Sequence, residues 1–209
     1  MKNYITIQSD VENETIINKS RFITYLFKVD SEDEAKTKID EIKALHKTAN
    51  HNCSAYTIGD SHQIQKANDD GEPSGTAGVP MLECLKKADI HNTVAIVTRY
   101  FGGIKLGTGG LIRAYQNGVS EAISKSGKAM MKNAKIYRVT IQYDQTGKFE
   151  HQIESTDFIV LNTIYTDKVT YEIQITNELE DEFKQFITNQ TQGTAEMLLI
   201  EEKMLPFNL

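Results

Sequence analysis

The sequence predicts an α+β chain of two domains, residues 1–130 and residues 131–209. Three observations predict it. A length of 209 residues is long for one small domain and suits two, and a hydrophobic content of 39% gives each half enough apolar material for a core. Residues 131–209 read strand, helix, strand, strand, helix, strand, which is the split βαβ or ferredoxin-like pattern. The charge divides at the same place. Through Met130 there are 16 Lys and Arg against 16 Asp and Glu, and from Met131 onward 7 against 13, so the second part carries the whole net charge of −6.

The elements follow in order. Tyr4–Ile7 and Arg21–Phe27 are rich in β-branched and aromatic residues and read as strands, with polar Asp10–Lys19 as a turn and short strand between them. Ser31 followed by Glu34 is a capping-box signature that opens a helix with Ala35, Ile39, Ile42 and Leu45 on its apolar face. Asn52–Ile58 returns to strand. Gly59–Val79, with four glycines and one proline, has no apolar period and reads as a long functional loop. Pro80 suits the first turn of a helix over Met81–Ala88. Thr93–Thr98 is a continuous apolar run, as in a strand buried on both faces. A second glycine-rich loop, Phe101–Gly107, precedes a helix for which Thr108 is the expected N-cap. Leu111, Ile112, Tyr115, Val119, Ala122 and Ile123 form its inward stripe.

The boundary is expected in the basic, poorly patterned Ser124–Lys135, where Lys125, Lys128, Lys132 and Lys135 read as solubilising charge. Beyond it come strand Ala134–Tyr143, helix Gln145–Ser155, strands Phe158–Tyr165 and Val169–Ile175, helix Glu178–Thr188 and strand Ala195–Glu202. Asn177 with Glu180 supplies a capping signal, and Asp167 marks the hairpin turn.

Composition narrows the function classes. No apolar run approaches the roughly 18 residues of a membrane span, and the N-terminus has no apolar signal region, so a cytoplasmic protein is expected. Cys53 and Cys84 are too far apart in sequence for a CxxC metal pair and read as small buried side chains in a reducing compartment. An acidic second domain is a poor polyanion binder, and no DNA specificity is indicated.

Two segments carry chemistry. The first is Asp69-Asp70-Gly71-Glu72-Pro73-Ser74-Gly75-Thr76-Ala77-Gly78-Val79-Pro80. The second is Arg99-Tyr100-Phe101-Gly102-Gly103-Ile104-Lys105-Leu106-Gly107-Thr108-Gly109-Gly110-Leu111-Ile112-Arg113. Together with Lys19–Ile23 and His51–Tyr56, they resemble the core motif of the YigZ/IMPACT family. That resemblance implies a first domain of the ribosomal protein S5 domain 2-like fold and a second domain similar to a C-terminal domain of elongation factor G. Eukaryotic IMPACT proteins carry an extra N-terminal domain that acts on a starvation-kinase pathway. The chain begins directly with the core domain and resembles the bacterial form, so that role is not expected to carry over.

Read from the residues alone, the second segment suits an anion. Glycines let backbone amides approach a ligand, and Gly109 and Gly110 lie in a first helical turn, where free N–H groups and the dipole favour negative charge. Arg99, Lys105 and Arg113 add cations. Gly102, Gly103 and Gly107 shape the backbone, and Tyr100 with Phe101 offers faces on which bases can stack, although Phe101 reads better as a buried strand end. The alternative is that the glycines serve packing and the arginines tie down Asp69, Asp70 or Glu72.

Neither a Walker A loop nor a dinucleotide fingerprint is present. Asp69, Asp70, Glu72 and Ser74 read as a pocket-shaping acidic loop, and the three carboxylates are not read as metal ligands. Ser74 lacks the G-x-S-x-G setting of a hydrolase nucleophile, and His51, His62 and His91 have no spacing that ties them to it. No catalytic residue, metal or cofactor is therefore assigned. The expectation is a non-enzymatic RNA- or ribosome-associated regulator in translation or stress. A sensor or enzyme for a phosphate-bearing small molecule, or a protein-interaction module using the acidic second domain, are the alternatives.

Overall fold

The structure, a computed structural model, describes residues 2–209. The chain divides into two units, Met1–Met131 with Pro206–Leu209, and Lys132–Leu205. The first unit contains β1 (Tyr4–Ile7), β2 (Val11–Ile17), β3 (Ser20–Lys28), α1 (Glu32–Leu45), β4 (His51–Ile58), β5 (Ile64–Asn68), α2 (Gly78–Lys87), β6 (Thr93–Tyr100) and α3 (Gly107–Ser126). It also holds the first residues of β7 (Lys128–Ile141), which pair with β1.

Five of these strands form an antiparallel sheet in the order β2-β3-β6-β4-β5. The apolar run lies in the middle, as its composition requires, because β6 is covered on both faces. Ala95 and Val97 join Phe22, Leu26, Cys53 and Ala55 under α2 and α3. Val94 and Ile96 join Ile23, Tyr25, Tyr56 and Ile58 under α1. Alternation along the strand thus sorts side chains into two cores. The register places Arg99 at the end of β6, opposite Phe22 of β3 and His51 of β4, and this positions the site.

Four local expectations are corrected. The Gly59–Val79 segment is not one loop, because Ile64–Asn68 pairs with Ser54–Ile58 as a hairpin strand. The polar stretch 10–19 supplies a full strand, β2, whose alternate residues face solvent. Helix α3 starts at Gly107, so Thr108 lies inside it, and no side chain caps its N-terminus. Ser124–Lys135 is regular structure, ending α3 and beginning β7.

In the second unit, β7 continues and is followed by α4 (Tyr143–Ile153), β8 (Ile159–Tyr165), β9 (Val169–Thr176), a short 3-10 turn (Asn177–Leu179), α5 (Glu180–Thr191) and β10 (Glu196–Asn208). Strand β10 pairs β7, β7 pairs β9 and β9 pairs β8. Val139, Ile141, Tyr171 and Ile173 meet Phe149, Ile153, Phe183 and Ile187 of the two helices in a single core. The Asn177–Glu180 capping expectation fails. The 3-10 turn leads into α5 without a side-chain cap, and Glu180 instead accepts hydrogen bonds from Lys135, Lys184 and Tyr137.

Those bonds, led by that of Lys135, hold the Glu180 carboxyl at about 2 against an ordinary 4.5. A group whose folded value is depressed contributes stability above its unfolded value and loses it as pH falls through the folded one. Glu180→Gln should therefore lower the unfolding free energy by roughly 1 kcal/mol at neutral pH, the scale of a solvent-screened pair. In urea titrations the gap from wild type should close as pH falls from 4.5 to about 2.

Candidate anion-binding site

The acidic loop is fastened from within. Asp69 Oδ1 accepts the backbone N–H of Ala77 (3.1 Å) and Gly78 (2.8 Å), and Oδ2 that of Gly75 (2.8 Å). It therefore caps α2 from nine residues away and takes the place of a local N-cap, which α2 lacks. Burial works against its charge, but the three amides outweigh it and hold the carboxyl below its ordinary value. Asp70, at φ 43°, accepts Lys43 Nζ (2.9 Å) on one oxygen and the Asn52 amide (2.7 Å) on the other. With both carboxylates engaged in this way, the loop presents no converging set of oxygens for a hard cation.

Glu72 turns inward to Arg99. Arg99 Nη1 donates to Glu72 Oε1 at 2.7 Å, and the two residues are 5% and 8% exposed, so the pair is buried. Tyr115 of α3 donates to the same oxygen (2.7 Å), while His51 Nε2 lies 3.7 Å from Oε2. Arg99 Nη2 reaches Ser20 Oγ (3.4 Å), and its guanidinium lies between the rings of Phe22 (5.3 Å) and Phe101 (5.5 Å). Its Nε is buried without a hydrogen-bond partner. Burial pushes the Tyr115 hydroxyl well above its ordinary value, so it stays a donor. Burial likewise raises the Cys53 thiol to about 12, which removes it as a nucleophile at neutral pH.

Above this pair opens a cavity of about 380 Å³ lined by Glu72, Pro73, Arg99, Phe101, Lys105, Leu106, Gly107, Thr108 and Leu111. Its wall is the first turn of α3, which has no acidic residue and no cap. Helix α1, by contrast, opens with Glu32, Asp33 and Glu34 and is capped by Ser31. Two cations stand at this bare N-terminus. Lys105 is exposed on the cavity rim, and Arg113 folds back along the helix, so that a side-chain carbon placed on Gly109 would lie 3.5 Å from its Nη1.

The predicted residues therefore separate by role. Lys105, Gly107, Gly109, Gly110 and Arg113 meet at the α3 N-terminus. Gly107 has a φ of 71° that favours glycine there. Arg99 forms the floor and is tied to Glu72, whereas exposed Arg113 pairs with none of the three acids. Tyr100 is half-buried, its hydroxyl bonded to His46 Nδ1 (2.9 Å). Gly102 is a packing residue, since a Cβ there would fall 2.0 Å from the Lys19 backbone, while Gly103 bends in solvent at φ 88°. Ser74 is exposed and does not line the cavity, and no described histidine hydrogen-bonds it. Phe101, expected to be buried, is 44% exposed. Sequence reasoning missed Pro73, Leu106, Thr108 and Leu111 as cavity walls. Leu111 reads in the sequence as part of the inward stripe, and Thr108 as a cap.

Comparison with known proteins places these residues in context. The sequence model described as Impact N-terminal domain matches residues 18–123, and a domain of unknown function, DUF1949, matches residues 139–194. The chain is similar to "IMPACT family member YvyE" of Bacillus subtilis, with 45% identity over 94% of this chain and 91% of that one. It is also similar to "IMPACT family member YigZ" of Escherichia coli, with 35% identity over 89% and 92%. A solved structure titled "Crystal structure of an hypothetical protein" covers 97% of the chain and 100% of its own, at 33% identity and a TM-score of 0.62.

The Asp69 clamp gives a direct stability test. Asp69→Ala leaves three backbone donors without their acceptor and should lower the unfolding free energy by about 2 kcal/mol. Hydrogen exchange should place the lost protection at Gly75, Ala77 and Gly78.

Proposed function

The chain belongs to the IMPACT family, and from that premise and the geometry of its first unit we propose a non-enzymatic binding protein that holds the phosphate backbone of RNA at the N-terminus of α3. One observation carries the reading. A 20-residue helix begins with no cap and no acid, and with two cations, Lys105 and Arg113, gathered at its positive end. The dipole disfavours that arrangement until an anion joins it. Exposed Phe101 beside the cavity favours RNA over an isolated phosphate, because a base can stack on it while the backbone meets the helix end.

The acidic second unit restricts this contact to the first. A regulatory role in translation or stress, in the cytoplasm, belongs to the same reading. Among the described residues no helix is long and apolar enough to cross a membrane. The order β10-β7-β9-β8 with both helices on one face supports reading the second unit as ferredoxin-like. The five-stranded sheet with α2 and α3 on one face supports reading the first as S5 domain 2-like. A small phosphorylated ligand is the second reading, favoured by the size of the cavity, about 380 Å³.

Fluorescence anisotropy with single-stranded RNA at several salt concentrations tests the proposal. Lys105→Ala and Arg113→Ala should each weaken binding and flatten the log K against log salt slope by about 0.7. Phe101→Ala should cost about 1–3 kcal/mol with little dependence on sequence. Lys148→Ala, on the exposed surface of the second unit, should change nothing. Binding indifferent to Lys105 and Phe101 would remove the RNA reading. A thermal shift with sugar phosphates and no RNA binding would replace it with the small ligand.

A further inference from the structure

At the other end of the same sheet two turns bring together side chains that the anion site does not use. One is the β4–β5 turn, which carries His62, and the other is the α2–β6 turn, which carries Asp89 and His91. Thr57 pairs with Thr93 at this end of β4 and β6, and His51 with Arg99 at the anion-site end. Six strand residues separate the two, roughly 20 Å. We propose that His62, Asp89 and His91 form a binding site for a divalent transition metal of the zinc class.

The donor set is the first argument. The ligand atoms of the three side chains all lie within 4.8 Å of one another. Asp89 Oδ1 is 3.0 Å from His91 Nε2 and 3.7 Å from His62 Nε2. Zinc–ligand bonds of about 2.0–2.1 Å in a tetrahedron put neighbouring donors about 3.3 Å apart, between these two distances. Two imidazoles and a carboxylate are also a borderline-soft set, which suits zinc better than magnesium or calcium.

The second argument is the support behind each imidazole. His91 Nδ1 lies 3.0 Å from the Gly59 carbonyl oxygen, which can only accept, so Nδ1 carries a proton, and Nε2, which donates to Asp89 Oδ1 at 3.0 Å, gives up its proton when it takes a metal. His62 Nδ1 is held by Thr57 Oγ1, and its Nε2 points the same way. A ring nitrogen fixed by a partner on the far side is the usual arrangement of a metal-ligating histidine. Asn92 Oδ1 accepts the Gly59 amide at 2.7 Å and ties the two turns together.

His62, Asp89 and Asn92 all have left-handed φ, at 53°, 56° and 49°, a costly conformation for residues with side chains.

The site is open to an ion. His91 is buried and Asp89 is exposed, which leaves a path for the metal and a fourth position for water. The two rings now stack at 3.7 Å and 15°, so the half-buried His62 must tilt out of the stack for both lone pairs to meet one ion.

Titration of the tag-free full-length protein with zinc chloride by isothermal calorimetry tests the proposal. One zinc per chain is expected, with binding lost as pH is lowered towards about 5 and the imidazoles protonate. Asp89→Asn and His62→Gln should each weaken binding at least about tenfold, while His151→Ala, an exposed histidine of the second unit, leaves it unchanged. Cobalt(II) in place of zinc should shift the ring-proton resonances of His62 and His91, a response that a purely hydrogen-bonded Asp89–His91 pair would not give. No uptake, uptake without fixed stoichiometry, or equal uptake by Asp89→Asn and His62→Gln would overturn it.

Discussion

The first unit depends on the buried pair between Glu72 and Arg99. Removing two charges from water is expensive, and their attraction compensates only where the geometry is good and the remaining donors and acceptors are met. Here Glu72 Oε1 takes both Arg99 and Tyr115, Ser20 meets the second Arg99 nitrogen, and two aromatic rings flank the guanidinium, while Nε is left without a hydrogen-bond partner. The pair is thus a fastening between four elements. It joins the acidic loop, the end of β6, the body of α3 and the start of β3.

The fastening has a consequence for recognition. Arg99 has the charge to bind phosphate, but that charge is already matched by Glu72, so the arginine serves as a floor. Attraction falls to groups that nothing has neutralised, namely Lys105, Arg113 and the amides of the first α3 turn. Tyr115 holds α3 to the same carboxylate about two turns from its N-terminus, and so sets where that end opens. Buried charge shapes the cavity and exposed charge faces it.

Much of this was legible in sequence wherever a signal is local. Ser31 and Glu34 announced α1, and the apolar run at Thr93–Thr98 announced a strand covered on both faces. The two glycine-rich segments identified the family. Features that failed to show are those made by distance. Asp69 caps α2 from nine residues away, a spacing no capping pattern covers. Strand β5 shows as a strand only through its pairing with β4, because its own residues are polar and mostly exposed. Phe101 reads as a buried strand end, yet the chain leaves the sheet there and exposes its ring. His62 and Asp89 lie 27 positions apart, and the pairing of β4 with β6 brings their two turns together.

The most direct measurement is a double-mutant cycle on Glu72→Gln and Arg99→Met, read by urea unfolding of the full chain. Each single change should destabilise by about 3–5 kcal/mol, because it strands one buried partner. The double variant should recover much of that loss, with a coupling above about 2 kcal/mol. Free energies that simply add, within about 0.5 kcal/mol, would contradict the account and leave the pair as two independent residues.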